Sequence, residues 1–206
     1  MSDINFNDWF VGKELTADWT SRYFAQWAVM LAERQDQPLE VLEIGSWEGR
    51  AAIFFLRLLK NCRVTCIDTF QGSIEHTLVP NWANLIPDME RRFDSNMAEF
   101  GSRVIKMKSR SSMALAQLST QGRQFDLVYV DGSHKSADAL SDAVLTWPMV
   151  RPNGIVIFDD YEWKMLPDEI DRPKLGIDGF LAVHARQYRE LYRGYQLIIE
   201  KVAAGA

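Results

Sequence analysis

Short apolar runs alternate along this chain with longer stretches whose apolar residues recur at helical spacing. The runs Val41–Ile44, Arg63–Ile67, Val104–Met107, Phe125–Val130 and Ile155–Phe158 have strand length and composition. Between them, Arg50 to Leu59 is apolar almost all round, and Leu85, Met89, Phe93, Met97 and Phe100 fall on one side of a helical stretch from Trp82 to Phe100. A further helix runs from the Ser-rich turn Ser109–Ser112 through Leu118, and another is marked by Ala137, Leu140, Val144 and Trp147, ending near Pro148. Strands that alternate with helices predict an α/β fold, a parallel sheet with helices on both faces. Ahead of the first strand, Trp19, Tyr23, Phe24, Trp27, Met30 and Leu31 predict a helix over Asp18 to Arg34, capped by Thr16 or Asp18 and ended by Gln37-Pro38. At the other end a helix is expected over Asp178 to Arg189, then two extended segments about Gly194, Glu190–Arg193 and Tyr195–Val202. That leaves Trp163 to Leu175 as a loop, and Thr69 to Gly101 as an insertion that serves as lid, substrate wall or plain packing.

The tightest feature in this pattern is Val41 to Arg50, which reads as strand, glycine turn and helix start. Gly45 and Gly49 let the backbone bend sharply and approach a ligand, and amides at the helix start face the site. In a parallel sheet, ligands sit outside the carboxyl ends of the strands. Glu43 to Gly49, Asp68, Ser109 to Ser112, Asp131 to His134 and Asp159-Asp160 all fall at such ends, so they belong to one edge and converge on one cleft. Asp68 ends the second strand about twenty residues after the glycine loop, where an acid accepts from a ribose diol. Asp131, Asp159 and Asp160 cannot all stay ionised at close range without a cation. Oxygen ligands with room for water favour magnesium, with manganese an alternative, over zinc. His134, just past a strand, is placed to take a proton from a substrate hydroxyl. Taken singly, each of these residues also reads as a turn, a cap or a solvated surface group, as does the pair Glu75-His76.

Composition narrows the partners. With 206 residues, 47% of them hydrophobic and 25% charged, one domain with a full core is expected over 1–206. It divides into an N-terminal helical extension at 1–38 and a catalytic core at 39–202. A net charge of -5, with scattered Lys and Arg, argues against nucleic acid. Met1 to Phe10 has no basic region followed by an apolar core, and no apolar run spans a bilayer, so no membrane contact and a cytoplasmic location are expected. Cys62 and Cys66 are expected to be reduced structural thiols. The aromatic residues near the N-terminus offer a subunit contact for a homo-oligomer.

Motif by motif, the chain resembles a known family. Val41 to Gly49 resembles motif I of the class I S-adenosylmethionine-dependent methyltransferases, acid-x-Gly-x-x-x-Gly, and lacks the glycine spacing of nicotinamide dehydrogenases. Val130-Asp131-Gly132-Ser133-His134, Val150-Arg151-Pro152-Asn153-Gly154 and Phe158-Asp159-Asp160-Tyr161 resemble the family of macrocin, mycinamicin and cephalosporin-pathway O-methyltransferases. The resemblance covers about residues 39 to 201. It implies a Rossmann-like seven-stranded sheet, mostly parallel with an antiparallel last strand. It implies that Glu43, Gly45, Ser46 and Gly49 shape the pocket for the methionine part of S-adenosyl-L-methionine, that Asp68 holds the ribose, and that Ser111 lies by the adenine. Asp131, also beside the cofactor, would with Asp159 and Asp160 hold Mg2+, and Asp131 and His134 would carry catalysis on a hydroxylated small molecule. Two departures stand out: Trp47 and Glu48 are bulky for this loop, and Asn153 replaces a more usual glycine. Trp47 either covers the cofactor or packs on the N-terminal helix. No acid follows the third strand to read the adenine. The competing readings are a metal-independent N- or C-methyltransferase and a non-catalytic S-adenosylmethionine-binding protein.

Overall fold

The computed structural model describes residues 4–202; the remaining positions of the expected 1–206 domain lie outside the described residues. Seven strands form one sheet: β1 (Glu40–Ile44), β2 (Arg63–Asp68), β3 (Val104–Lys108), β4 (Phe125–Val130), β5 (Val150–Phe158), β6 (Tyr188–Arg193) and β7 (Leu197–Lys201), in the spatial order β3-β2-β1-β4-β5-β7-β6. The first five are parallel, and β7 runs antiparallel between β5 and β6. Strand order reverses between β1 and β4, so the ends of these two strands flank the crevice where such sheets bind ligands.

Among the described residues seven α-helices accompany the sheet: α1 (Phe24–Met30), α2 (Arg50–Leu58), α3 (Glu75–Leu78), α4 (Met89–Met97), α5 (Ser111–Thr120), α6 (Ser136–Thr146) and α7 (Pro173–Val183). Both sheet faces are covered, which explains why the central strands are apolar without alternation. On one face α1, α2 and α4 bury Trp27, Phe54, Phe55 and Phe93 against Val41, Val64 and Tyr129. On the other, α5, α6 and α7 bury Leu115, Ala143 and Phe180 against Leu42, Val128 and Val156. The all-round apolar α2 is buried because aromatic residues from the N-terminal segment cap its outer side. Phe24 stacks on Phe54 at 4.3 Å, and Trp27 on Phe55 at 5.4 Å. No helix among the described residues is long and apolar enough to cross a membrane. Both cysteines are free and buried.

Several element boundaries differ from expectation, and the helical stretch expected over Trp82 to Phe100 is split into a 3-10 turn at Trp82–Leu85, α4, and a 3-10 segment from Ala98. The helix expected over Asp18 to Arg34 is continuous only over α1, between single 3-10 turns at Ser21–Tyr23 and Ala32–Arg34. Asp18 accepts from the backbone amide and hydroxyl of Ser21, at 3.0 and 2.7 Å, and this local turn replaces the first helical turns. The strand expected over Ile155–Phe158 starts earlier, at Val150, and Arg151–Gly154 forms a bulge inside it: Phe125 pairs with Val150 but Leu127 with Ile155. Asn153 there has φ 63°, a left-handed conformation that Asn tolerates better than most residues. The last helix begins at Pro173, five residues before Asp178, with the proline at its first position, and β6 already starts at Tyr188.

Candidate active site

The strand ends at the crevice are locked together by backbone contacts. Gly45 has φ 85° and donates its amide to Ile67 O at 2.8 Å. A Cβ at Gly45 would lie 1.8 Å from the Asp131 carbonyl oxygen, so only glycine lets the β1 loop press against the end of β4. Asp68 accepts from the amides of Trp47 (2.8 Å) and Phe70 (2.6 Å), which fixes the loop to β2. Burial raises the Asp68 carboxyl despite those two bonds.

A cavity of 1160 Å³ opens above this edge. Gly45, Asp68, Ser111, Asp131, His134, Asp159 and Asp160 all line it, as their common place at strand ends requires. Glu43, Ser46 and Gly49 lie behind the loop. Glu43 is 1% exposed, and burial pushes its carboxyl up to about 7. Gly49 begins α2 with φ 85°, and a Cβ there would come 2.5 Å from Met97 Cε on α4.

At the other side of the crevice, Asp131, His134 and Asp160 offer ligand atoms within 4.8 Å of one another. His134 Nε2 meets Asp160 Oδ2 at 2.5 Å, and the imidazole stacks on Trp163 at 4.7 Å. Asp160 stands in the left-handed region at φ 52°, a turn that aims its side chain at the cleft immediately after β5. Asp159 faces inward: Oδ1 accepts from the Asp160 amide at 2.8 Å, and Oδ2 accepts from the Tyr129 hydroxyl. That hydroxyl also lies 2.9 Å from Asp131 Oδ2. A phenol has one proton, so it cannot serve two ionised carboxylates at once. Burial first, and the charges of Asp159 and Asp160 second, push Asp131 well above the carboxylate range. Burial and the Asp160 charge lift Asp159 to about 6. Burial also acts upward on Asp160, but the His134 hydrogen bond and charge outweigh it and lower the carboxyl. The excess acid, with carboxylate oxygens and an imidazole converging, is the donor chemistry of a divalent-cation site.

Four contributors were not singled out as site residues by the sequence reading. Tyr129 was legible in principle, since it precedes Asp131 by two positions and shares its strand face. His76, expected as a surface hydrogen bond, is instead 4% exposed and stacks on Trp47 at 4.6 Å. With Trp19 and Trp82 these rings line one wall of the cavity. Trp47 therefore both lines the cavity and packs on Trp19, just ahead of the helical segment. Trp163 and Asp142 also line the cavity. Burial raises Asp142 to about 6.

None of the curated proteins compared with the chain matches it. Solved structures do resemble it. The MycE methyltransferase of the mycinamycin biosynthetic pathway, in complex with Mg, SAH and mycinamycin VI, superposes with a TM-score of 0.64 at 18% identity. The match covers 98% of this chain and 55% of that one, so the chain spans about half the length of MycE. The O-methyltransferase TomG from Streptomyces achromogenes, involved in tomaymycin synthesis and in complex with SAM, gives 0.64 at 20% identity, covering 90% and 82%. An O-methyltransferase from Bacillus cereus in complex with SAH gives 0.63 at 17% identity, covering 92% and 84%. At such identities the likeness establishes the fold, which is that of the Rossmann-like methyltransferases. Residues 42–161 match a family model described as a methyltransferase domain, a span that holds the glycine loop, Asp68, Asp131, His134 and Asp159-Asp160, and the chain belongs to that family.

Proposed function

We propose that this chain is an S-adenosylmethionine-dependent O-methyltransferase that acts on a hydroxyl of a small molecule with help from a divalent cation. The observation that carries this reading is the meeting of Asp131, His134 and Asp160 within 4.8 Å in the cavity that Gly45 and Asp68 also line. Asp131 and Asp160 would hold the cation, with Asp159 supporting from behind through Tyr129 or turning to join them. When bound, the cation supplies Lewis acidity that lowers the acceptor hydroxyl's pKa, and the cofactor supplies a sulfonium methyl group.

The chain's own residues do the rest. Gly45 admits the cofactor close to the backbone, and Asp68 accepts from its ribose. His134 receives the acceptor's proton, and Asp160, already in contact with Nε2, steadies the imidazolium that forms. Trp163 packs flat on that imidazole and restricts it to one orientation. Trp19, Trp47, His76 and Trp82 form an aromatic wall that favours a planar or sugar-bearing acceptor and excludes water.

The test is transfer of label from methyl-labelled S-adenosylmethionine to a panel of phenolic, sugar and macrolide alcohols, with Mg2+ and with chelator. Labelled methyl ether that appears only with the metal supports the reading. Full turnover in chelator removes the cation's part, and cofactor binding without any transfer favours a non-catalytic protein.

A further inference from the structure

Arg22 belongs to none of the motifs that suggested a function, yet it lines the cavity from the N-terminal segment. Its guanidinium carbon lies 4.8 Å over the Tyr23 ring and 4.9 Å over the Tyr195 ring. Two aromatic faces hold the group by cation–π attraction and leave its N–H edge free for a ligand. The turn that carries it is fixed from behind. Arg50, the first residue of α2, donates to Ala17 O and Ser21 Oγ at 3.2 Å each and pairs with Asp18 at 3.3 Å. The Glu162 amide donates to Tyr195 O at 3.2 Å, which ties the second ring to the segment just after Asp159-Asp160.

Among the described residues Arg22 has no carboxylate partner, because the acids on the neighbouring elements are committed elsewhere. Asp18 serves Ser21 and Arg50, Asp159 serves Tyr129 and the Asp160 amide, Asp160 meets His134, and Glu162 pairs with Lys164 and Lys174. The place of Arg22 in the fold assigns it to the acceptor. Gly45, Asp68 and Ser111, which fit the cofactor, follow β1, β2 and β3 on one side of the crevice. Tyr195 lies in the turn between β6 and β7, on the other side with Asp160 and Trp163. Trp19, three residues before Arg22, stands in the aromatic wall, so one short segment offers both a ring face and a charge. A single guanidinium on a sheet edge that also carries Asp159, Asp160 and Glu162 suits a planar monoanion, gripped through two parallel N–H bonds, better than a dianionic phosphate that those acids would repel.

We propose that Arg22 is a specificity-determining residue that binds a carboxylate of the acceptor, so that the preferred acceptors are aromatic hydroxy acids whose ring lies along the tryptophan wall. This rests on the methyltransferase reading given above and names the substrate class of that same site.

The test titrates ortho-, meta- and para-hydroxybenzoate and para-hydroxycinnamate, each beside its methyl ester, into the whole chain saturated with S-adenosylhomocysteine. In the wild type the best-bound acid should bind about tenfold or more tighter than its ester, the worth of a hydrogen-bonded charge pair. Arg22→Ala should bring that acid down to its ester, and Arg22→Lys, which keeps the charge without the fork, should retain part of the preference. Label transfer to the same acids should show the loss falling on KM rather than kcat, and affinity for S-adenosylhomocysteine should hold in both variants. Acids bound no better than esters by the wild type, or a preference that survives in Arg22→Ala, overturns the inference and leaves the methyltransferase reading intact. So does a loss of S-adenosylhomocysteine affinity in Arg22→Ala, since the guanidinium would then serve the cofactor's own carboxylate. Acid binding that depends on Arg22, with no label passed to any acceptor, overturns the methyltransferase reading alone. A wild type that binds no S-adenosylhomocysteine overturns both.

Discussion

Arg92 on α4 donates its Nε to Glu48, an acid in the glycine loop that is fully buried. Glu48 also accepts from the Thr16 amide at 2.5 Å and the Thr16 hydroxyl at 2.7 Å. Asn96 continues the seam, bonding the carbonyls of Glu14 and Glu48 at 2.9 Å each. Glu48 thus ties the N-terminal segment and α4 to the back of the cofactor loop and does not face the cavity. Glu48→Ala would leave Arg92 without its buried counter-ion, a loss of about 3–5 kcal/mol. Urea denaturation would measure it, and limited proteolysis should show new cleavage near Thr16. A change below about 1 kcal/mol would mean that the pair is as weak as a surface ion pair.

Tyr129 acts where two acids would otherwise repel. Its hydroxyl touches Asp131 and Asp159, and Tyr129→Phe removes the one proton that stands between them. Loss of such a supporting partner lowers metal affinity about 10–100-fold. Titration of Mn2+ followed by electron paramagnetic resonance should show that drop in the variant. Unchanged affinity would mean that Asp131 needs no support from behind.

Much of this site was legible because strand ends are easy to read. Apolar runs that stop at an acid located Asp68, Asp131 and Asp159-Asp160, and parallel topology then placed them on one edge. What stayed hidden depends on contacts between segments far apart in sequence. His76 looks like a loop residue until Trp47 is seen stacked on it. Glu48 looks like a surface acid in the cofactor loop until Arg92 arrives from α4, 44 positions later. The 3-10 turn at Ser21–Tyr23 was masked by an aromatic stripe that suits a helix equally well; the Asp18 side chain decided between them.

A cation at Asp131 and Asp160 relieves the repulsion that raises Asp131, so it should stabilise the folded chain. At a concentration about 100 times its dissociation constant, the expected gain is about 2.7 kcal/mol. Scanning calorimetry with and without Mn2+ should show the rise in wild type and none in Asp131→Asn. The same variant without metal should be about as stable as wild type, because the amide replaces a carboxyl that burial and the neighbouring acids already keep from ionising. A wild type insensitive to the metal would count against the cation site.

Glu43 makes stability depend on pH in a predictable direction. Its folded pKa is about 7 against an ordinary 4.5, chiefly through burial, so between these values the folded chain binds a proton that the unfolded chain has lost. Stability is therefore greatest below the lower value and declines as pH rises towards 7, levelling off above it. The gap corresponds to roughly 3 kcal/mol. Asp142 and Asp159, each raised to about 6, add losses of the same sign at lower pH. Glu43→Gln removes the Glu43 share alone and leaves theirs in place. Urea unfolding at pH 5 and pH 8 should show the variant losing roughly 2.5 kcal/mol less than wild type across that interval, part of the full gap being already lost at pH 5. Parallel losses in the two proteins would mean that Glu43 ionises inside the fold near its ordinary value.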